Sequence, residues 1–246
     1  MRHSNKVWFH ALATLAVLLW MPGAAAHESV TSEAVNAWLA KTEVLQAKLA
    51  ANSTCESAAS ASVELGALLD DIGELFNKDI ESHGKVQGLA STVLMGELAA
   101  RGLPLAYSSR THRYVTHLRY YQDALEWAPS GVSAAEAAYR LIKGYFYESF
   151  DADPLQPVDQ TPARLAEQMR LAKTWRNRVS GADRQQEMLF ILAIHTMQAA
   201  GVARAGRERA GLEQKAAVLV EEFLKKYPES LRAATLTALR ERMSSR

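Results

Sequence analysis

Beyond about residue 30, apolar residues in this chain recur at steps of three and four and almost nowhere at steps of two. The clearest run is Leu65, Leu68, Leu69, Ile72, Leu75, Phe76 and Ile80. These fall on one side of an α-helix, which turns once every ~3.6 residues. A strand needs sustained alternation, and a tight hairpin favours Asn-Gly or Asp-Gly at its turn; the sequence offers neither. The expected fold class is therefore all-α.

Stop and start signals divide the chain into roughly eight or nine helices. Ser32 with Glu33 suits a helix start, and Val35, Trp38, Leu39, Leu45 and Leu49 form the stripe that follows. Asn52-Ser53, Gly84 and Gly102 with Pro104 end the next segments. A helix is expected from about Ser109 to Trp127, burying Tyr114, Leu118, Tyr121 and Leu125. Pro129-Ser130-Gly131 is a turn, and Ser133-x-x-Glu136 reads as a capping box. Thr161-Pro162 restarts a helix after the irregular stretch 151–160. After Ser180-Gly181 comes a helix whose centre, Met188 to Ile194, is apolar all round, which implies packing on both sides. Tyr227-Pro228 separates the last two helices. Short turns imply antiparallel neighbours, hence helical hairpins stacked as a solenoid or gathered in an irregular bundle.

The first 26 residues have another meaning. Arg2 and Lys6 precede an apolar run from Val7 to Met21, followed by Pro22-Gly23 and Ala24-Ala25-Ala26. A charged head, apolar middle and small-residue end describe a secretory signal peptide, with cleavage expected after Ala26. No cysteine follows that could carry a lipid, and no later stretch is long and apolar enough to span a bilayer. The expected location is periplasmic or secreted, and residues 27–246 form the mature all-helical domain. Within it, 27–102 are N-terminal helices and 103–246 a second group.

Charge and cysteine usage exclude several classes. Lys+Arg number 28 and Asp+Glu 27, so no overall field draws in nucleic acid or anionic membrane. Cys55 is the single cysteine, which rules out an intrachain disulfide and any metal site built on paired thiolates.

Two stretches look alike: Tyr121 to Ile142 around Pro129, and Leu219 to Leu239 around Pro228. Each has a helix ending in an aromatic, a proline turn and an alanine-rich helix. The prolines stand about three periods of the roughly 34-residue tetratricopeptide unit apart. Glu222-Phe223-Leu224-Lys225-Lys226-Tyr227-Pro228-Glu229-Ser230, with Ala233-Ala234, resembles the turn between repeats in periplasmic tetratricopeptide proteins of the bacterial envelope. The resemblance does not extend before Gly102. It implies a helical-repeat scaffold for 103–246 and contact with a protein partner through a concave surface.

Catalytic signatures are missing: no G-x-S-x-G, no H-E-x-x-H and no phosphate-cradling glycine loop. Asp70-Asp71 and Glu221-Glu222 read as solvated helix faces. The most suggestive stretch runs from Tyr107 to Tyr121, where Arg110, Arg113, His117, Arg119 and Tyr120 interleave basic and aromatic groups. On one helix Arg113, His117 and Tyr120 would share a face able to hold an anion or stack on a ring. Tyr139 and Tyr147 are expected on the helix beside it. His195 reads as a hydrogen-bonded core residue. His27 becomes the mature N-terminus after cleavage and could then chelate copper with its amine. Asp151, Asp153 and Asp159 lack the glycine and closing glutamate of a calcium loop.

The expectation is thus an exported scaffold, not an enzyme, that needs no cofactor and binds a protein partner in the envelope. Binding of a small ligand or copper is the alternative, and an enzyme acting on cell-wall glycan a more distant one.

Overall fold

A computed structural model describes residues 30–51, 54–86, 88–109, 111–149, 154–155 and 160–244. The segment expected to direct export, His27, Arg110 and the acidic residues Asp151, Asp153 and Asp159 lie outside these residues. Among the described residues there are nine helices and one two-stranded hairpin: α1 (Ser32–Ala50), α2 (Cys55–His83), α3 (Leu89–Ala100), β1 (Ala106–Ser108), β2 (Arg113–Val115), α4 (Arg119–Trp127), α5 (Ala134–Ser149), α6 (Pro162–Trp175), α7 (Ala182–Val202), α8 (Arg207–Lys226) and α9 (Leu231–Ser244). The protein is mostly helical, as the apolar spacing predicts. Among the described residues, no helix is long and apolar enough to cross a membrane.

Threonines open three of the helices. Thr31, Thr54 and Thr161 each accept a hydrogen bond from the backbone N–H three residues on, satisfying a donor the helix itself leaves free. The first cap is Thr31, one residue before the expected Ser32. Pro162 holds the first helical position of α6, as predicted. Gly84, at φ 72°, closes α2, and its N–H bonds to the Ile80 carbonyl at 2.7 Å.

The long α2 is the spine of the first half. It packs against α1, α4, α5 and β2. Its residues Leu65, Leu68, Leu69, Ile72 and Phe76 form a core with Val35, Leu39 and Leu45 of α1 and Leu94 and Leu98 of α3. In the second half each helix from α5 to α9 packs on the next, and α7 also touches α5 and α9. From Glu187 to Ala200 every residue of α7 is buried, so this helix is packed on all sides, as its sequence predicts. A smaller cluster of Ala59, Val63, Tyr121, Ala124, Ala137 and Leu141 joins the halves through α2, α4 and α5.

The helix expected from Ser109 to Trp127 is not what forms. β1 and β2 pair antiparallel, with Tyr107 opposite Tyr114, and α4 begins only at Arg119. Tyr114, Val115 and Thr116 are an aromatic and two β-branched residues, all suited to extended backbone. Packing completes the choice. The Tyr114 ring lies edge-on to Phe76 of α2 at 5.6 Å and to Tyr107 at 5.3 Å between centroids. His112 precedes β2 with φ 53°, a left-handed conformation no helix interior admits.

Candidate functional site

A cleft of about 810 Å³ opens between α2, the hairpin and α5. On α2 the residues Asp70, Glu74 and Asn77 recur at helical spacing and, with Asp71, make an acidic wall. On α5 the residues Tyr139, Arg140, Lys143 and Tyr147 follow the same rule and make a basic, aromatic wall. Ser108 of β1, Arg113 and Tyr114 of β2, Tyr121 of α4 and Arg184 of α7 also line it.

Most of the charged groups are already committed to one another. Arg113 bonds Glu74 at 2.8 Å and Glu81 at 2.6 Å. Arg140 bonds Asp70 at 3.0 Å and Glu136 at 2.6 Å, and Arg184 reaches the other oxygen of Glu136. Glu136 therefore serves as a bridge between α5 and α7. The Tyr121 hydroxyl donates to Asp70 at 2.5 Å. Burial and the adjacent Asp70 carboxylate push the Tyr121 phenol up. Burial works against the Arg140 charge, but the hydrogen bonds to Glu136 and Asp70 outweigh it and raise its pKa. Asp70 is thus an anchor between elements, which corrects the expectation of a purely solvated Asp70-Asp71 face. Asp71 and Lys143 differ from these: both are exposed, and among the described residues neither has an ion-pair partner. The Lys143 ammonium lies 6.0 Å from the centre of the Tyr147 ring.

Behind the basic wall sits Glu187, only 7% exposed. The Tyr139 hydroxyl donates to one of its oxygens. Tyr147 donates to the other at 3.1 Å, and Arg232 of α9 bonds that same oxygen at 3.0 Å. The guanidinium of Arg184 lies over the Tyr139 ring at 4.8 Å. Burial, reinforced by Glu187, pushes both phenols up. Both hydroxyls therefore keep their protons at ordinary pH and act as fixed donors.

The sequence candidates are dispersed. Arg113, Tyr139 and Tyr147 line the cleft. His117 is exposed in the link between β2 and α4. Arg119 points to solvent and pairs with Asp123 at 3.2 Å. Tyr120 packs against the core of α1–α3, where burial raises its pKa, and its carbonyl accepts from Ser62 at 2.8 Å. Arg113, His117 and Tyr120 do not share a helix face, because Arg113 belongs to a strand. Arg110 and His27 lie outside the described residues.

His195 is fully buried, with Nδ1 2.9 Å from Gln198 Oε1; Gln198 in turn donates to the Pro154 carbonyl at 2.8 Å. Cys55 is exposed at the start of α2. Among the described residues, no group of three or more His, Cys, Asp or Glu side chains could hold a metal ion.

Sequence reasoning missed Asp71, Arg140, Lys143, Arg184 and Glu187. The available signal was polar residues at 70, 74 and 77 and at 140, 143 and 147, a spacing that an ordinary solvated face shares. No protein-family model matches the chain, and no curated protein or solved structure matches it either.

Proposed function

We propose that this is an exported protein of the cell envelope that works by binding, and that its ligand enters the cleft between α2 and α5. The cleft itself carries this reading. Its volume lies in the range of about 300–1,000 Å³ typical of small-ligand sites, and its walls offer charges and ring faces. The lining is held by ion pairs before any ligand arrives, so little ordering is left to oppose binding. The committed state of its acids favours binding over cleavage of cell-wall glycan. Both oxygens of Glu187 are taken by donors, Asp70 and Glu74 are ion-paired, and the tyrosines keep their protons. Export rests on the charged head and apolar run of residues 1–26, and periplasmic fractionation with N-terminal sequencing tests it. A mature start at or beside His27 is expected.

The test of the cleft is a thermal-shift screen of polar small molecules and short peptides against the mature protein. Hits are repeated on Ser108→Trp, which puts an indole in the lining of the cleft. Ligands that stabilise the wild type and lose their effect in the variant support the reading; ligands indifferent to the variant overturn it.

A second reading, docking of an envelope protein, is favoured by a different observation. Leu89 and Val93, four residues apart on α3, are 80% and 47% exposed, more apolar surface on one helix face than folding explains. The neighbour pattern from α5 to α9, with α7 touching α5 and α9, also supports a helical-repeat scaffold. Crosslinking in the periplasm that captures one dominant protein, lost with Leu89→Glu and Val93→Glu, supports docking there; unchanged capture removes α3 from it.

A further inference from the structure

We propose that the cleft selects a short peptide with free termini, its ammonium facing Asp71 and its carboxylate facing Lys143. The proposal rests on the cleft being the binding site and names what that site takes.

Asp70, Glu74, Arg113, Arg140 and Arg184 are all in ion pairs. These pairs already neutralise one another, so a ligand charge placed there would first have to displace an existing partner. Among the described residues two opposite charges of the lining are left over, Asp71 on α2 and Lys143 on α5, one on each wall. Both are exposed, so a ligand can reach either one, at the cost of part of its hydration.

A ligand with one charge meets an attractive group on one wall and a repulsive one on the other. A ligand with both charges at opposite ends meets two attractive groups, and discrimination of this kind is what paired opposite charges provide. The remaining lining suits a peptide. Tyr114, Tyr139 and Tyr147 give ring surface for side chains. At about 810 Å³ the cleft is in the upper part of the small-ligand range, more room than a lone amino acid fills.

The experiment is isothermal titration of the mature protein with a pool of tripeptides bearing uncharged side chains. The pool is used unmodified, N-acetylated, C-amidated and doubly capped. The expected result is binding of the unmodified pool, weakened roughly two- to fivefold by each cap, as fits ion pairs with exposed partners. Asp71→Asn should remove the effect of acetylation alone, and Lys143→Met the effect of amidation alone. Both residues are exposed, so both variants should fold. Equal affinity for capped and free peptides, or full affinity and selectivity in both variants, overturns the proposal. If no peptide binds but another polar molecule does, and Ser108→Trp blocks it, the peptide assignment falls while the cleft stands. If no ligand of any kind responds to Ser108→Trp, both fall.

Discussion

The side chain of Asn77 pairs with both backbone groups of Tyr114: its Nδ2 donates to the Tyr114 carbonyl at 3.0 Å, and its Oδ1 accepts the Tyr114 N–H at 2.6 Å. An amide side chain on a helix thus stands where a third strand would be, closing the inner edge of β2. Asn77→Ala leaves both groups without these partners in a part-buried place and should cost roughly 1–3 kcal/mol. Asn77→Asp should be no better at pH 7, because a carboxylate cannot donate to the carbonyl. Urea denaturation gives the two values. An Asp variant as stable as the wild type would show that the carbonyl bond contributes nothing.

Gly66 on α2 faces the Tyr121 ring. A Cβ there would lie 2.8 Å from its Cε1 and 2.9 Å from its Cζ. Alanine usually gains about 1 kcal/mol over glycine inside a helix. Here Tyr121 is fully buried with its hydroxyl tied to Asp70, so the ring has no room to retreat. Overpacking of this kind costs roughly 1–3 kcal/mol. Gly66→Ala is therefore expected to lower Tm, and to lower it less in a Tyr121→Leu background. Equal losses in both backgrounds would place the strain elsewhere.

Burial pulls the His195 imidazole down to about 4, from an ordinary 6.5, while its bond to Gln198 opposes the shift. The unfolded chain therefore takes up this proton at higher pH than the folded one. The resulting stability is complete above about pH 6.5, declines as pH falls toward 4, and is constant below that. Between pH 7 and pH 5 the loss should be about 2 kcal/mol. Unfolding free energies of the wild type and His195→Met at the two pH values isolate it. A wild type and variant with the same pH dependence would mean the folded imidazole titrates normally.

Glu187 ties α9 to the cleft, because Arg232, Tyr139 and Tyr147 all converge on it. Glu187→Ala leaves a part-exposed guanidinium and two phenols without their acceptor, which water replaces only in part, and should cost roughly 2–4 kcal/mol. Glu187→Gln keeps the shape and one acceptor oxygen, so a smaller loss of about 1–3 kcal/mol is expected. Denaturant titration separates the two. A glutamine variant as harmful as alanine would show that charge, and not shape, holds the cluster.

The helices were legible because their apolar spacing is a local property carried by many residues. Ile72 and Phe76, or Met188 to Ile194, announce a buried face without reference to anything distant. The hairpin was not legible. Its strands are three residues each, too short to display alternation, and Tyr114, Leu118, Tyr121 and Leu125 happen to fall at helical steps. What holds it in place includes Phe76 and the paired bonds from Asn77, the latter 37 positions away. The site was legible only in fragments. Arg113, Tyr139 and Tyr147 could be suspected from residue type, but the bond from Arg140 to Asp70 crosses 70 positions. Nothing in the neighbourhood of either residue marks it as paired.

The complete enclosure of α7 also bears on how much of this chain can be removed. With α5, α6, α8 and α9 each covering part of it, a protein cut before α8 would present an uncovered ribbon of Leu, Ile, Phe and Met to water. Such a fragment would cling to its neighbours instead of standing alone. Proteolytic trimming or a premature stop near Arg207 should therefore yield insoluble material, and the last two helices act as the cover over that ribbon.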